Sequence, residues 1–187
     1  MKTIEAPGES FAKIAHDLLA AKIKAAIAKH GSCVIGLSGG STPGPVYASL
    51  GADTSIDWAK AGAFLFDERY VPASHAESNQ ALIRSTLLKN GVITEARCVF
   101  PDTSLPMDDC LADYTLRVKK LWSDRLPDIG ILGMGDDGHI ASLFPPLSVV
   151  ALSGECFALH ATTDRFAIHD RITLSLNCVA ACQSHVF

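Results

Sequence analysis

Apolar residues return every three or four positions between residues 8 and 30. Phe11, Ile14, Ala15, Leu18, Ile23, Ala26 and Ile27 recur at helical spacing, which predicts a helix closed by Gly31. The pattern then changes. Cys33-Val34-Ile35-Gly36-Leu37 is short and continuously apolar, as expected of a strand buried on both faces. Ser38-Gly39-Gly40-Ser41-Thr42 interrupts it, and a helix is expected from Pro43 or Pro45, because proline suits a first helical turn. Ala63-Phe64-Leu65-Phe66 predicts a second strand, running into the polar loop Asp67-Glu68-Arg69-Tyr70. Helical spacing recurs over 78–89 (Leu82, Ile83, Leu87, Leu88) and over 107–122 (Met107, Cys110, Leu111, Tyr114, Val118, Leu121, Trp122). Between them, Cys98-Val99-Phe100 predicts a third strand, stopped by Pro101. A fourth strand is expected over 128–132, further strands over 156–159 and 171–175, and a short helix over 176–183. His185-Val186-Phe187 opens another apolar run.

Strands therefore alternate with helices. That predicts right-handed crossovers and an α/β fold: a doubly wound, mostly parallel, Rossmann-like sheet with helices on both faces. With 187 residues and no repeat, low-complexity tract or linker, the chain is expected to form a single domain over 1–187. A hydrophobic content of 48% is high, but no apolar run approaches the roughly 20 residues of a membrane helix. A parallel sheet covered on both sides accounts for it. The net charge is −4 and basic residues do not cluster, so no nucleic-acid partner is expected. The start, MKTIEAPGES, lacks the apolar core of a signal peptide, and a cytoplasmic location is expected. The cysteines, Cys33, Cys98, Cys110, Cys156, Cys178 and Cys182, include no C-x-x-C pair and read as buried reduced thiols.

Candidate chemistry sits in the segments after strands: SGGSTP, DERYVP and GMGDDGHIAS. Loops after parallel strands emerge at one edge of a sheet, where ligands of open α/β folds bind. Two glycines and two hydroxyls in SGGST, ahead of a helix, suit a phosphate, although a plain tight turn has the same composition. The loop is neither a Walker A loop nor G-x-G-x-x-G, so a nucleotide is not favoured. Arg69 can grip a phosphate in a bidentate fashion or simply pair with Asp67 or Glu68 on a solvated turn. Ser78 and Asn79 can reach a ligand or cap the following helix. His139 suits a general base at neutral pH, with Asp137 two residues away to fix its tautomer. One histidine beside adjacent acids offers poor metal geometry, and no metal or other cofactor is expected. Ser142 lies outside any G-x-S-x-G elbow, so a serine-hydrolase triad is not expected.

In this order SGGSTP, FDERYVP with HAESN, and GMGDDGHIASLFP resemble the motif set of the glucosamine-6-phosphate isomerase/6-phosphogluconolactonase family, on its lactonase side. TTDRFAIHDRITLSLN is similar to a later substrate-side segment of that family, and the resemblance runs from about residue 8 to the end. It implies that Ser38, Gly39, Gly40, Ser41 and Thr42 cradle a 6-phosphate, with Arg69, Ser78, Asn79, Gly135 and Arg171 as further substrate contacts. It implies that His139 activates water, supported by Asp137, that Asp67 orients substrate or Arg69, and that amides near 135–139 stabilise an oxyanion. The expected substrate is a sugar-phosphate lactone, and the expected state a monomer or weak dimer. The resemblance also implies a further strand and helix after Phe187, which the chain is expected to lack. Two other functions fit the same residues: an amino-sugar-phosphate isomerase or deaminase, and a non-catalytic sugar-phosphate-binding paralogue.

Overall fold

In the computed structural model, all residues except 1, 2, 6, 124, 153 and 156 are described. Helix α1 spans Gly8–His30 and ends where Gly31 turns left-handed at φ 78°, its N–H donating to the Ile27 carbonyl. Strand β1 is Cys33–Leu37 and α2 is Gly44–Leu50, with a proline in its first turn. Strand β2 is Ala61–Leu65, β3 is Asp67–Arg69 and α3 is Asn79–Ser85. Then come β4 (Cys98–Val99), α4 (Met107–Trp122) and β5 (Ile129–Ile131). The chain continues through β6 (Ala158–Thr162), β7 (Asp170–Leu174), α5 (Leu176–Ala180) and β8 (Ser184–Val186).

Five strands form one parallel sheet in the order β4-β2-β1-β5-β8. Strict alternation inside the strands serves its two faces. Cys33, Ile35, Leu37, Ala61, Ala63 and Leu65 pack with α1, α2 and α3, while Val34, Phe64 and Phe66 pack with α4 and α5. Gly36 belongs to the second set, and a Cβ there would sit 2.3 Å from the Phe66 ring, so its hydrogen makes room for that ring. Two buried tyrosines pin the ends of the central strands. The Tyr47 hydroxyl accepts from the Ser38 amide (3.2 Å) and donates to the Ser38 carbonyl (2.9 Å). The Tyr114 hydroxyl likewise accepts from the Leu65 amide and donates to the Leu65 carbonyl. Among the described residues, no helix is long and apolar enough to cross a membrane.

A second, antiparallel sheet of three strands, β3-β7-β6, departs from the alternation read in the sequence. DERY is no loop: Asp67–Arg69 pairs with Arg171–Thr173. The strands near 156–159 and 171–175 form a hairpin with no helix between them, and residue 156 lies outside the described residues. Phe66 is the junction. Its amide donates to Leu37 of the parallel sheet and its carbonyl accepts from Leu174 of the antiparallel one, at 2.9 and 2.8 Å. The helix expected over 78–89 stops at Ser85, because Thr86 leaves helical dihedrals at φ −120°, ψ −81°. Cys33, Cys98, Cys110 and Cys182 are free and buried, as expected. Cys178, in α5, is disulfide-bonded, which corrects the reading of a reduced thiol at that position; spacing along the chain does not disclose such a bond.

The sheet order creates a switch point. From β1 the chain crosses to β2 on one side, whereas β8, reached after β5, lies on the other, and β1 and β5 are neighbours. Loops leaving these two strands diverge and open a crevice at the carboxyl edge, the usual ligand position in such sheets.

Candidate active site

That crevice is a cleft of about 580 Å³. It is lined by Ser38, Gly39, Gly40, Ser41 and Thr42 after β1, and by Gly133–Asp137, His139, Ala141, Ser142 and Phe144 after β5. Asp67 and Arg69 of β3, Asn79 at the start of α3, and Arg165, Phe166 and Arg171 of the β6–β7 hairpin complete it.

The floor follows from strand periodicity. In the antiparallel pair, Asp67 faces Thr173 and Arg69 faces Arg171, so all four share one face. Glu68 points the other way. It is fully buried and accepts from the amides of Arg69, Asn79 and Gln80 and from the Ser78 hydroxyl, at 2.7 to 3.0 Å. A carboxylate there satisfies the open donors of the α3 N-terminus. Ser78 serves the same helix end. It is 1% exposed, its hydroxyl accepts from Ala81, and it does not line the cleft. Of its two sequence readings, the helix cap is the one the geometry matches.

Arg69 and Arg171 are therefore direct cross-strand neighbours. Like charges in that position repel. Burial, and then Arg69, push the Arg171 guanidinium below its ordinary value. Asp67 partly balances them, yet burial drives its own carboxyl above the usual range despite a 2.6 Å hydrogen bond from the Ser142 hydroxyl. Arg69 Nε, Asn79 Oδ1 and Ser38 Oγ are buried and lack any partner among the described residues. All three residues line this cleft. No protein acceptor among the described residues takes up the amides of Gly39 to Thr42. Unsatisfied polar groups gathered in one place are the mark of a ligand site.

Gly39 and Gly40 serve different needs. A Cβ on Gly39 would lie 1.8 Å from Asn79 Oδ1, while Gly40 turns the loop at φ 104°. The Asn79 amide, held close by that gap, donates to the Asp67 carbonyl at 2.8 Å.

Opposite the floor, His139 Nδ1 lies 2.5 Å from Asp137 Oδ1. A carboxylate only accepts, so Nδ1 carries the proton and Nε2 keeps its lone pair in the neutral ring. The His139 hydrogen bond holds the Asp137 carboxyl down at about 2. The ring rests on Gly135, where a Cβ would be 2.2 Å from His139 Cε1. Phe144 and Phe166 flank it at centroid distances of 4.8 and 5.8 Å. The oxyanion role expected of the loop amides narrows here. Gly135 N donates to the His139 carbonyl, Gly138 N to the Gly135 carbonyl and His139 N to Asp137. These bonds fold the loop on itself to present the ring.

Among the described residues, His139 is the histidine that lines the cleft, and no three His, Cys, Asp or Glu side chains are grouped to hold a metal. The sequence reading missed Ser142, Arg165 and Phe166 as site residues. Ser142 reaches Asp67 because Ala141 turns left-handed at φ 50°, which nothing in H-I-A-S announces. Arg165 meets Asp137 through Nη1 across a chain separation that only the hairpin closes.

Fold and site together define an α/β protein with a cation-rich cleft at a sheet switch point, facing a histidine–aspartate pair. The sequence profile of the family described as "Glucosamine-6-phosphate isomerases/6-phosphogluconolactonase" matches residues 7–187, and the chain belongs to that family. It is 46% identical over 156 residues to a Dictyostelium discoideum protein named "Probable 6-phosphogluconolactonase", covering 82% of this chain and 66% of that one. It is 37% identical to a Neisseria meningitidis 6-phosphogluconolactonase, covering 91% of this chain and 74% of that one. The crystal structure of a 6-phosphogluconolactonase from Shewanella baltica superposes with a TM-score of 0.80 at 29% identity, covering 98% of this chain and 78% of that one.

Proposed function

We propose that this chain hydrolyses 6-phospho-D-glucono-1,5-lactone to 6-phosphogluconate, a step of the oxidative pentose phosphate pathway. The observation that carries the reading is the Arg69–Arg171 pair lining one cleft together with the His139–Asp137 pair. The arginines and the free amides of residues 39–42 take the phosphate dianion and relieve the cationic repulsion. The lactone carbonyl then lies toward His139.

His139 Nε2 takes a proton from water, and the hydroxide adds to the lactone carbon to give a tetrahedral oxyanion. Asp137 holds the resulting imidazolium through Nδ1–H. The oxyanion collapses, the ring C–O bond breaks, and the leaving alkoxide takes the proton from Nε2. Base catalysis by one side chain contributes about 10²–10⁴-fold. Asn79 and Ser142 hold Asp67, which orients Arg69 and the substrate hydroxyls. Glu68, turned away to cap α3, takes no part. The reaction uses no metal or organic cofactor, and the small sugar-phosphate lactone is the partner.

Asp67 gives a second reading some support. A carboxyl raised by burial in this cleft could move protons on carbon, as an amino-sugar-phosphate isomerase or deaminase requires. The two separate in one experiment: lactone hydrolysis and ammonia release from glucosamine 6-phosphate, each measured for wild type and His139→Ala. The expected result is lactone turnover that falls by about 10²–10⁴-fold in His139→Ala with KM retained, and no ammonia. Equal lactone rates in both proteins would remove His139 as the base.

A further inference from the structure

The hairpin between β6 and β7 contributes Arg165, Phe166 and Arg171 to the lining of the cleft. Thr163 N donates to the His169 carbonyl at 3.1 Å, and the Thr163 hydroxyl accepts from Arg165 N at 3.2 Å, which sets the tip. From that tip, Arg165 Nη1 reaches Asp137 Oδ2, while Asp137 Oδ1 receives His139. The next residue, Phe166, stands edge-on to the His139 ring at 71° and lies 5.4 Å beneath the Arg171 guanidinium. The Arg165 side chain is 58% exposed against 17% for Asp137. An ion pair so open to water adds little to folding. Its geometric effect is larger. The terminal torsion of an aspartate is broad and nearly two-fold. Held through one oxygen only, Asp137 can swing and release the His139 Nδ1–H. Held through both, it cannot.

We propose that Arg165 is a positioning residue for His139: by clamping the second oxygen of Asp137, it fixes the carboxylate that selects the Nδ1–H tautomer and leaves Nε2 free toward the cleft. The proposal rests on His139 acting as the base. It assigns the hairpin tip a part in turnover without contact to the reacting atoms. Partners of this kind, one shell out from the chemistry, typically matter by about ten- to a hundredfold where they have been measured around metal sites.

The test compares wild type, Arg165→Ala and Arg165→Lys by lactone kinetics, thermal unfolding and ¹⁵N NMR of the histidine ring. Arg165→Ala is expected to lower kcat about tenfold with KM and Tm near wild type, and to move the acid limb of the kcat profile to higher pH, because losing the cation favours imidazolium. Arg165→Lys should recover most of the rate, since an ammonium still reaches the carboxylate. In the ring spectrum, wild type should show the Nδ1–H tautomer and Arg165→Ala an average of both. A wild-type rate with an unchanged ring spectrum in Arg165→Ala would overturn the proposal. So would a loss confined to KM, which would make Arg165 a substrate ligand. Should the wild type prove inactive on the lactone, the spectrum still decides, because it needs no turnover.

Discussion

Arg69 and Arg171 stand directly opposite each other on neighbouring antiparallel strands, with Asp67 as the acid on the same face. Two cations are thus held together at a cost that Asp67 and the exposed Glu77, 3.9 Å from Arg69 Nη1, offset only in part, and a bound phosphate would relieve it further. Arg69→Ala should raise KM for a phosphorylated lactone about ten- to hundredfold, matching the roughly 1.5–3 kcal/mol of hydrogen bonds to a charged group. Inorganic phosphate should raise the Tm of wild type more than that of the variant. Equal phosphate shifts in the two proteins would take Arg69 out of the anion site.

Asp137 is the member of the His139–Asp137 pair whose charge the fold fixes. Its folded value, about 2, lies below that of an unfolded aspartate. A depressed acid contributes its stabilisation above the unfolded value and loses it as pH falls toward the folded one. The carboxylate therefore stays charged through any pH at which an imidazole can act as base. Asp137→Asn should lose most turnover, and raising the pH should not restore it. Recovery in alkaline buffer would mean that Asp137 only tunes His139 and does not hold it.

Asp67 carries the opposite sign. Burial raises its folded value above the unfolded one, so the folded state binds the proton more tightly. Its contribution is fully present below the unfolded value near pH 4 and declines as pH rises through the folded value. Asp67→Asn removes that slope while keeping an acceptor for Ser142. Thermal scans from acid to neutral pH should show a smaller fall in Tm for the variant than for wild type, together with reduced turnover. A variant whose Tm tracks wild type at every pH would contradict the burial argument.

Gly135 is held to glycine by the ring above it. A Cβ would lie 2.2 Å from His139 Cε1 and 2.3 Å from Nδ1, so Gly135→Ala must push the imidazole off Asp137. The ring is a side chain and can move, so the expected loss is in kcat, with a Tm change of a few degrees at most. A crystal structure of the variant with His139 unmoved would refute this.

Much of this was legible in the chain. Periodicity placed α1, α4 and the buried strands, and motif order placed Ser38–Thr42 and His139 at one edge. What the pattern hid was a change of sheet. Asp67, Glu68 and Arg69 read as a polar turn because charges at a strand end usually face water. Here strand alternation sends 67 and 69 to the cleft and 68 to a helix terminus. Ser78 read two ways because a cap and a ligand share the same chemistry, and only its burial separates them. Arg165 gave no local signal, since its partner is set by the reach of a hairpin.

Phe66, bonded at once to Leu37 and Leu174, gives the two walls of the cleft separate foundations that meet at one seam. The wall bearing residues 38–42 and His139 grows from the parallel sheet, and the wall bearing the arginines grows from the antiparallel one. Such a plan is modular. Lengthening or exchanging the β6–β7 hairpin would retailor the upper rim for a bulkier or differently charged guest while the parallel foundation stayed as it is, provided the new tip kept a cation on Asp137 and a ring against His139.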